Sequence, residues 1–265
     1  MMTPPLDDLL AEIRSTSKYA HVSDALIRRI GTRELAVRRK FKDAVQETRN
    51  KLHQIGGLYQ PGRMRYGEWF ERIAAESPPH DALRDAMAHH ASTRERLPIL
   101  DSFYARLFDG LPPTHSVLDV ACGLNPLAVP WMRLEPDATY HAVDIYADMM
   151  QFLGAALPLL GVRAKCEVRD VISDTPSDPV DVALVLKTLP CLEQVDKDAG
   201  RKLLDAIRAR TLIVSYPTRS VSGRNVGMAQ HYGERFAALV DGRGWEVERM
   251  EFENELVFRV LRGFA

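Results

Sequence analysis

The sequence predicts an α/β fold, a Rossmann-like and mostly parallel sheet preceded by an α-helical region, and three observations carry that prediction. The segment SVLDVACGLNP, residues 116–126, reads as a buried strand running directly into a glycine-bearing turn. Gly123 and Asp144 lie 21 residues apart. That is close to the roughly 20 residues separating the turn after the first strand of a Rossmann-like unit from the carboxylate that ends its second. From residue 113 onward, short apolar runs alternate with helical stretches, the pattern of a parallel sheet covered on both faces.

Each element follows from local pattern. From Leu6 to about Phe108 apolar residues recur at helical spacing, with breaks at Gly31, Gly56-Gly57, Pro61-Gly62 and Pro78-Pro79. One helix is expected over 32–55. Another is expected over 93–108, where Leu97, Leu100, Tyr104, Leu107 and Phe108 share one side and Pro98 falls in the first turns. Leu111-Pro112-Pro113 reads as a linker, which divides the chain into a helical domain, 1–112, and a sheet domain, 113–265. Parallel strands are expected at 116–121, 140–144, 164–169, 182–186 and 212–215, with helices at 147–157 and 199–208 among the connections. The tail, 245–252 and 255–261, reads as two strands joined by a tight turn at Glu253-Asn254, making seven strands in all.

Composition limits the function classes. The chain has 265 residues, 46% hydrophobic and 27% charged, the balance of a soluble globular protein. No apolar run approaches the roughly 20 residues of a membrane span. The start, MMTPPLDDLLAEIR, is acidic and has no apolar core, unlike a secretory signal, so a cytoplasmic protein is expected. Cys122, Cys166 and Cys191 form no CxxC pair; neither a disulfide framework nor a metal site is read from them. The formal net charge of -1 hides an asymmetry: between Arg14 and Arg65 stand thirteen Lys and Arg against four Asp and Glu. Such a block fits a phosphate-rich partner; the alternative is a solvated helical face.

Ligands of open parallel sheets bind beyond the carboxyl ends of the strands. Here those ends are Ala121-Cys122-Gly123, Asp144, Asp170, Lys187 and the segment Tyr216-Pro217-Thr218-Arg219. Gly123 would let the backbone approach a ligand, Asp144 would accept hydrogen bonds from ribose hydroxyls, and Asp170 could meet an adenine amino group. Each residue alone reads equally as a helix cap or turn former. The turn is not GxGxxG, so a pyrophosphate would lack its usual bed. A nucleoside ligand without phosphates fits better, and S-adenosylmethionine is one. Lys187 ends the apolar run Val182-Ala183-Leu184-Val185-Leu186 and is expected to point into the site rather than snorkel to the sheet edge. His89 to Arg96 packs two histidines and two arginines before the linker, and SVSGRNVGM, 220–228, holds Arg224 between glycines in a candidate substrate loop.

Several of these stretches together resemble the aminoglycoside-resistance 16S rRNA (guanine-N7) methyltransferases, and most closely those of antibiotic-producing actinomycetes. They are KLHQIGGLY (51–59), HASTRERLPILDSFYARLF (90–108), DVACGLNPLAVPWM (119–132), LVLKTLPCLE (184–193), SYPTRSVSGRNVGM (215–228) and NEL (254–256). The resemblance implies a class I methyltransferase fold with a seven-stranded, mostly parallel sheet. It also implies methyl transfer from S-adenosylmethionine to N7 of one guanine in the decoding site of the assembled 30S subunit, by a monomer. Such methylation blocks aminoglycosides of the gentamicin and kanamycin type. By similarity, cofactor contacts fall on Tyr59, His90, Ala91, Ser92, Arg96, Ala121, Gly123, Asp144, Asp170, Val171 and Leu186, and target contacts on Arg96, Asp170, Lys187 and Arg224. Gln194 joins the cofactor set, although relatives place a Gln or Glu slightly later after the LPCLE block.

The chemistry suits those residues. Guanine N7 carries a lone pair and no proton, so it attacks in line without a general base, and the protein need only position it. N7 faces a deep, narrow groove in A-form RNA, so the target must be flipped out or already exposed. The basic helical region is then expected to dock on rRNA phosphates. Two other readings remain: a methyltransferase acting on adenine N1 or a small molecule, and a non-enzymatic ribosome-binding or assembly protein on a degenerate methyltransferase fold.

Overall fold

Strands that are apolar on both faces need cover on both faces, and the computed structural model supplies it with helices on either side of one seven-stranded sheet. The structure describes residues 4–57, 64–218 and 227–262. The chain begins with helices α1 (Pro4–Arg14), α2 (Asp24–Val37) and α3 (Phe41–Leu52), closed by a π-turn, His53–Gly57. Then come α4 (Tyr66–Ala75), α5 (His80–Met87), α6 (Ala91–Arg96) and α7 (Leu100–Leu107). The sheet region follows as β1 (Ser116–Val120), β2 (Thr139–Asp144), α8 (Ala147–Ala156), β3 (Arg163–Val168), β4 (Val180–Leu186), α9 (Leu189–Glu193), α10 (Ala199–Ala206), β5 (Ala209–Pro217), α11 (Met228–Val240), β6 (Glu246–Glu251) and β7 (Glu255–Leu261). The strand order is β3-β2-β1-β4-β5-β7-β6, with β7 antiparallel to both of its neighbours and every other pair parallel. All seven expected strands are present, within a few residues of their expected ends.

Alternation along the strands sorts side chains into two cores. Val117, Leu184, Ile213 and Val257 face the core that includes Trp69 of α4, Leu83 of α5, Phe103 of α7 and Leu153 of α8. Leu118, Ala183, Val185, Leu212 and Val214 face the other, with Leu203 and Leu204 of α10 and Phe236 of α11. A third core, built by Leu9, Ile13, Ile27, Ile30, Val45 and Leu52, belongs to α1–α3. Helices α4, α5 and α7 therefore share a core with the sheet, although they precede the Leu111-Pro112-Pro113 linker. The helices with a core of their own lie within residues 4–57.

Three local expectations need correction. The single helix over 32–55 is two helices, because Arg38 and Lys40 are extended (ψ 136° and 135°) and the chain reverses there. Reversal lets the apolar stripe of α2 meet that of α3, whereas a straight helix would leave both unpartnered. Gly31 does not break α2: a Cβ there would lie 2.7 Å from Leu9 Cδ2, so its lack of a side chain admits α1. The helix expected over 93–108 is divided into α6 and α7 by a 3₁₀ turn, Leu97–Ile99, where Pro98 cannot donate a helical hydrogen bond. Helix α11 was not anticipated from the sequence.

Candidate active site

The strand order reverses between β1 and its neighbours β2 and β4, and the site lies beyond their carboxyl ends, where that topology opens a crevice. After β1 the backbone takes the left-handed region at Ala121 (φ 51°) and again at Gly123 (φ 53°). That turn carries the Gly123 N–H to Asp144 Oδ2 at 2.9 Å, while the Ile145 N–H donates to Oδ1 at 2.6 Å. The second strand's carboxylate is thus oriented by backbone amides. Burial still pushes its carboxyl up to about 6, against the pull of those N–H groups.

Gly123 has a second role. A Cβ on it would sit 2.5 Å from Cε1 of His90, so the imidazole packs directly against the turn. Burial, reinforced by the nearby positive charges of Arg96 and Arg94, pushes His90 down to about 3 and keeps the ring neutral. Its Nδ1 lies 3.2 Å from the Ser92 hydroxyl.

At the end of β4, Lys187 takes a left-handed conformation (φ 58°). Its ammonium is 2.6 Å from Glu95 and 3.3 Å from Glu255. Glu255, fully buried at the start of β7, also accepts two parallel bonds from Arg96, Nε to Oε2 at 2.8 Å and Nη2 to Oε1 at 2.9 Å, and one from the Ser215 hydroxyl. Although burial opposes it, the charges of Arg96 and Lys187 hold the Glu255 carboxyl below the usual range. The remaining Arg96 nitrogen donates to Asn125 Oδ1 at 3.0 Å. Asn125 Nδ2 in turn donates to Asp119 at 2.8 Å, and burial pushes the Asp119 carboxyl up to about 7. Behind the crevice, then, stands a network in which Arg96 and Lys187 are paired with Glu255 and the Asp119 carboxyl is held by the neutral donors Asn125 and Tyr140.

A cavity opens at this crevice. Of the residues anticipated from sequence, His90, Ser92, Ala121, Asp144, Asp170, Val171, Leu186 and Lys187 line it together. Gly123 shapes it from behind by admitting His90. Ala91, Arg96 and Gln194 are not among its walls. Arg96 is 2% exposed and its guanidinium is engaged by Glu255 and Asn125, so here it supports the wall rather than facing the cavity. Gln194 caps the end of α9, while its neighbour Val195 reaches the wall. Tyr59 and Arg224 lie outside the described residues. Among the described residues no His, Cys, Asp or Glu cluster could hold a metal ion, and no helix is long and apolar enough to cross a membrane.

Sequence reasoning missed Glu255 and a whole wall. Leu26, Arg29, Ile55 and Gly56 line the cavity from the helices at the start of the chain. Arg29 of α2 donates to both oxygens of Asp170, at 2.5 Å and 3.1 Å. No spacing signal links Arg29 to Asp170. KLHQIGGLY did contain a readable signal, Gly56, where an added Cβ would meet the Tyr146 hydroxyl 2.4 Å away.

A family model described as ribosomal RNA methyltransferase (FmrO) matches residues 14–259. The chain belongs to that family. Among proteins similar to this FmrO-family member, a 16S rRNA (guanine(1405)-N(7))-methyltransferase of Micromonospora rosea is 38% identical over 261 residues, 96% of this chain and 95% of the relative. One of the same description from Frankia casuarinae is 41% identical over 266 residues, covering 97% and 94%. Among solved structures, that of the 16S rRNA methyltransferase RmtF in complex with S-adenosyl-L-homocysteine superposes with a TM-score of 0.85 at 31% identity, covering 99% of this chain and all of the other. The 16S rRNA methylase RmtB gives 0.77 at 28% identity, covering 97% and 98%.

Proposed function

We propose that this FmrO-family protein transfers a methyl group from S-adenosylmethionine to N7 of guanine 1405 in 16S rRNA, within the assembled 30S subunit, and so protects ribosomes from gentamicin- and kanamycin-type aminoglycosides. The observation that carries the reading is near-full-length similarity to enzymes of that description, joined to a crevice at the strand ends. Asp144 presents a backbone-oriented carboxylate where a ribose would lie, and Ile145, Val171, Ile172 and Leu186 offer apolar walls for a purine. These residues fit the cofactor, which when bound supplies an electrophilic methyl group.

The chain's own residues then hold the acceptor. Neutral His90 adds no positive charge beside a sulfonium. Lys187, held between Glu95 and Glu255, is the cation placed to donate to the guanine edge or a flanking phosphate. Arg96 and Glu255 keep it aimed, and Arg224 is assigned to the acceptor by family likeness. No general base is required, because N7 attacks with its free lone pair.

Docking falls to α1–α3. Many cations of the basic block are engaged inside the protein: Arg14 with Asp24, Arg28 with Asp7, Arg29 with Asp170, Arg49 with Glu12, Lys51 with Glu34. The exposed charge concentrates at the α2–α3 reversal, Arg38, Arg39, Lys40 and Lys42, interleaved with Val37 (70% exposed) and Phe41 (40%). We assign this tip to rRNA phosphates, and the protein to the cytoplasm as a monomer. Incubation with S-adenosylmethionine and 30S subunits, in parallel with naked 16S rRNA, followed by borohydride and aniline cleavage, tests the reading. A single cut at guanine 1405 in 30S subunits alone is expected. Methyl label without that cut would move the target to another atom or base, and no label would exclude rRNA methylation.

A further inference from the structure

We propose that Arg29, a residue of the N-terminal helices, is a positioning residue of the cofactor site that holds the Asp170 carboxylate as the acceptor for the adenine amino group. The proposal rests on the cofactor reading above. Helix α2 has two working faces. Ile27 and Ile30 enter the core of α1–α3, Leu26 reaches both that core and the cavity wall, and Arg29, one turn on, enters the cavity wall. The helix is fastened beside the cavity by backbone: the Ser23 N–H donates to Ile145 O at 2.7 Å, and the Ala147 N–H donates to His21 O at 2.8 Å. Arg29 is therefore delivered from a fixed base.

What it meets is a carboxylate that needs it. The Asp170 side chain is 3% exposed, and that of Arg29 is 19% exposed. Besides the guanidinium's two bonds, the Asp170 carboxylate receives the Ile172 N–H at 3.3 Å. Without its cation the carboxylate is free to turn, since the terminal torsion of an Asp side chain is soft. Paired with Arg29, its plane is set by the two-pronged contact, with lone pairs left over for a further donor. Lysine, a point charge, would hold the carboxylate without fixing its plane.

The test is calorimetric titration of the full chain with S-adenosylhomocysteine and with S-inosylhomocysteine, which carries an oxygen in place of the amino group. Wild-type protein should favour the adenosyl ligand, since a site built around a donor rejects the analogue lacking it. In Arg29→Gln the adenosyl ligand should weaken about tenfold and the inosyl ligand by less than about twofold, which narrows the preference. A role in mere folding would weaken both alike. Arg33→Gln, exposed on the same helix, should change neither. If Arg29→Gln does not fold, Arg29→Lys carries the same comparison with a smaller loss. Unchanged or tighter adenosyl binding, or equal loss for both ligands, would overturn the proposal while leaving the cofactor reading intact. Wild-type protein that bound neither ligand would overturn both.

Discussion

Asp144 shows how one side chain joins fold to function. Its two oxygens accept the Gly123 and Ile145 amides, so the geometry of the first turn and the end of the second strand is settled together. Because burial raises its carboxyl to about 6, the group is largely protonated at pH 5 and ionised above pH 7. With the cofactor placed as proposed, ribose hydroxyls donate to the ionised form, so binding draws the proton off, and affinity should rise with pH through about 6. Titrations with S-adenosylhomocysteine between pH 5 and 8 should show that rise and a plateau. Asp144→Asn should be flat across the range and about tenfold weaker at the plateau, as expected for a lost charge-assisted hydrogen bond of ~1.4 kcal/mol. Gly123 and Asp144 were legible in sequence because a βαβ unit brings residues at that spacing together. Glu255 and Arg29 were not, because their partners stand 159 and 141 residues away and only packing joins them.

The reversal between α2 and α3 is the clearest case in which an element differs from its sequence pattern. Helical periodicity runs through 32–55, yet Arg38 and Lys40 leave the helical region so that two apolar stripes can cover each other. The same reversal gathers the exposed cations at one tip. Arg38 is bound to the buried Glu34, so Arg39 and Lys40 are the cleaner pair to reverse. Charge reversal at both should weaken 30S binding and flatten its dependence on log salt by roughly 1.4 to 1.8, one lost phosphate contact for each residue. Affinity for S-adenosylhomocysteine should not change, since neither residue lines the cavity. Unaltered 30S affinity would move the docking face elsewhere.

At the scale of the molecule, the helices of residues 4–57 have their own core but share the cofactor crevice with the sheet, through the Val22 to Tyr146 bridge and the walls at Leu26, Ile55 and Gly56. Occupancy of the crevice should therefore slow amide exchange in α2 as well as at the end of β2. Exchange measured by mass spectrometry with and without S-adenosylhomocysteine checks this, and protection confined to the sheet would separate the two parts. The sequence by itself determined the seven strands, the mostly parallel sheet with its antiparallel tail, and the glycine turn with its acidic strand end. Those depend on short apolar runs and on short-range spacing, which a chain displays along its length. Only the tertiary structure decided that the crevice has a helical wall, that Arg96 and Lys187 converge on Glu255, and that several cations of the basic block pair within the chain. Those are pairings between distant segments, chosen because a charge taken out of water must find its opposite wherever the fold has placed it.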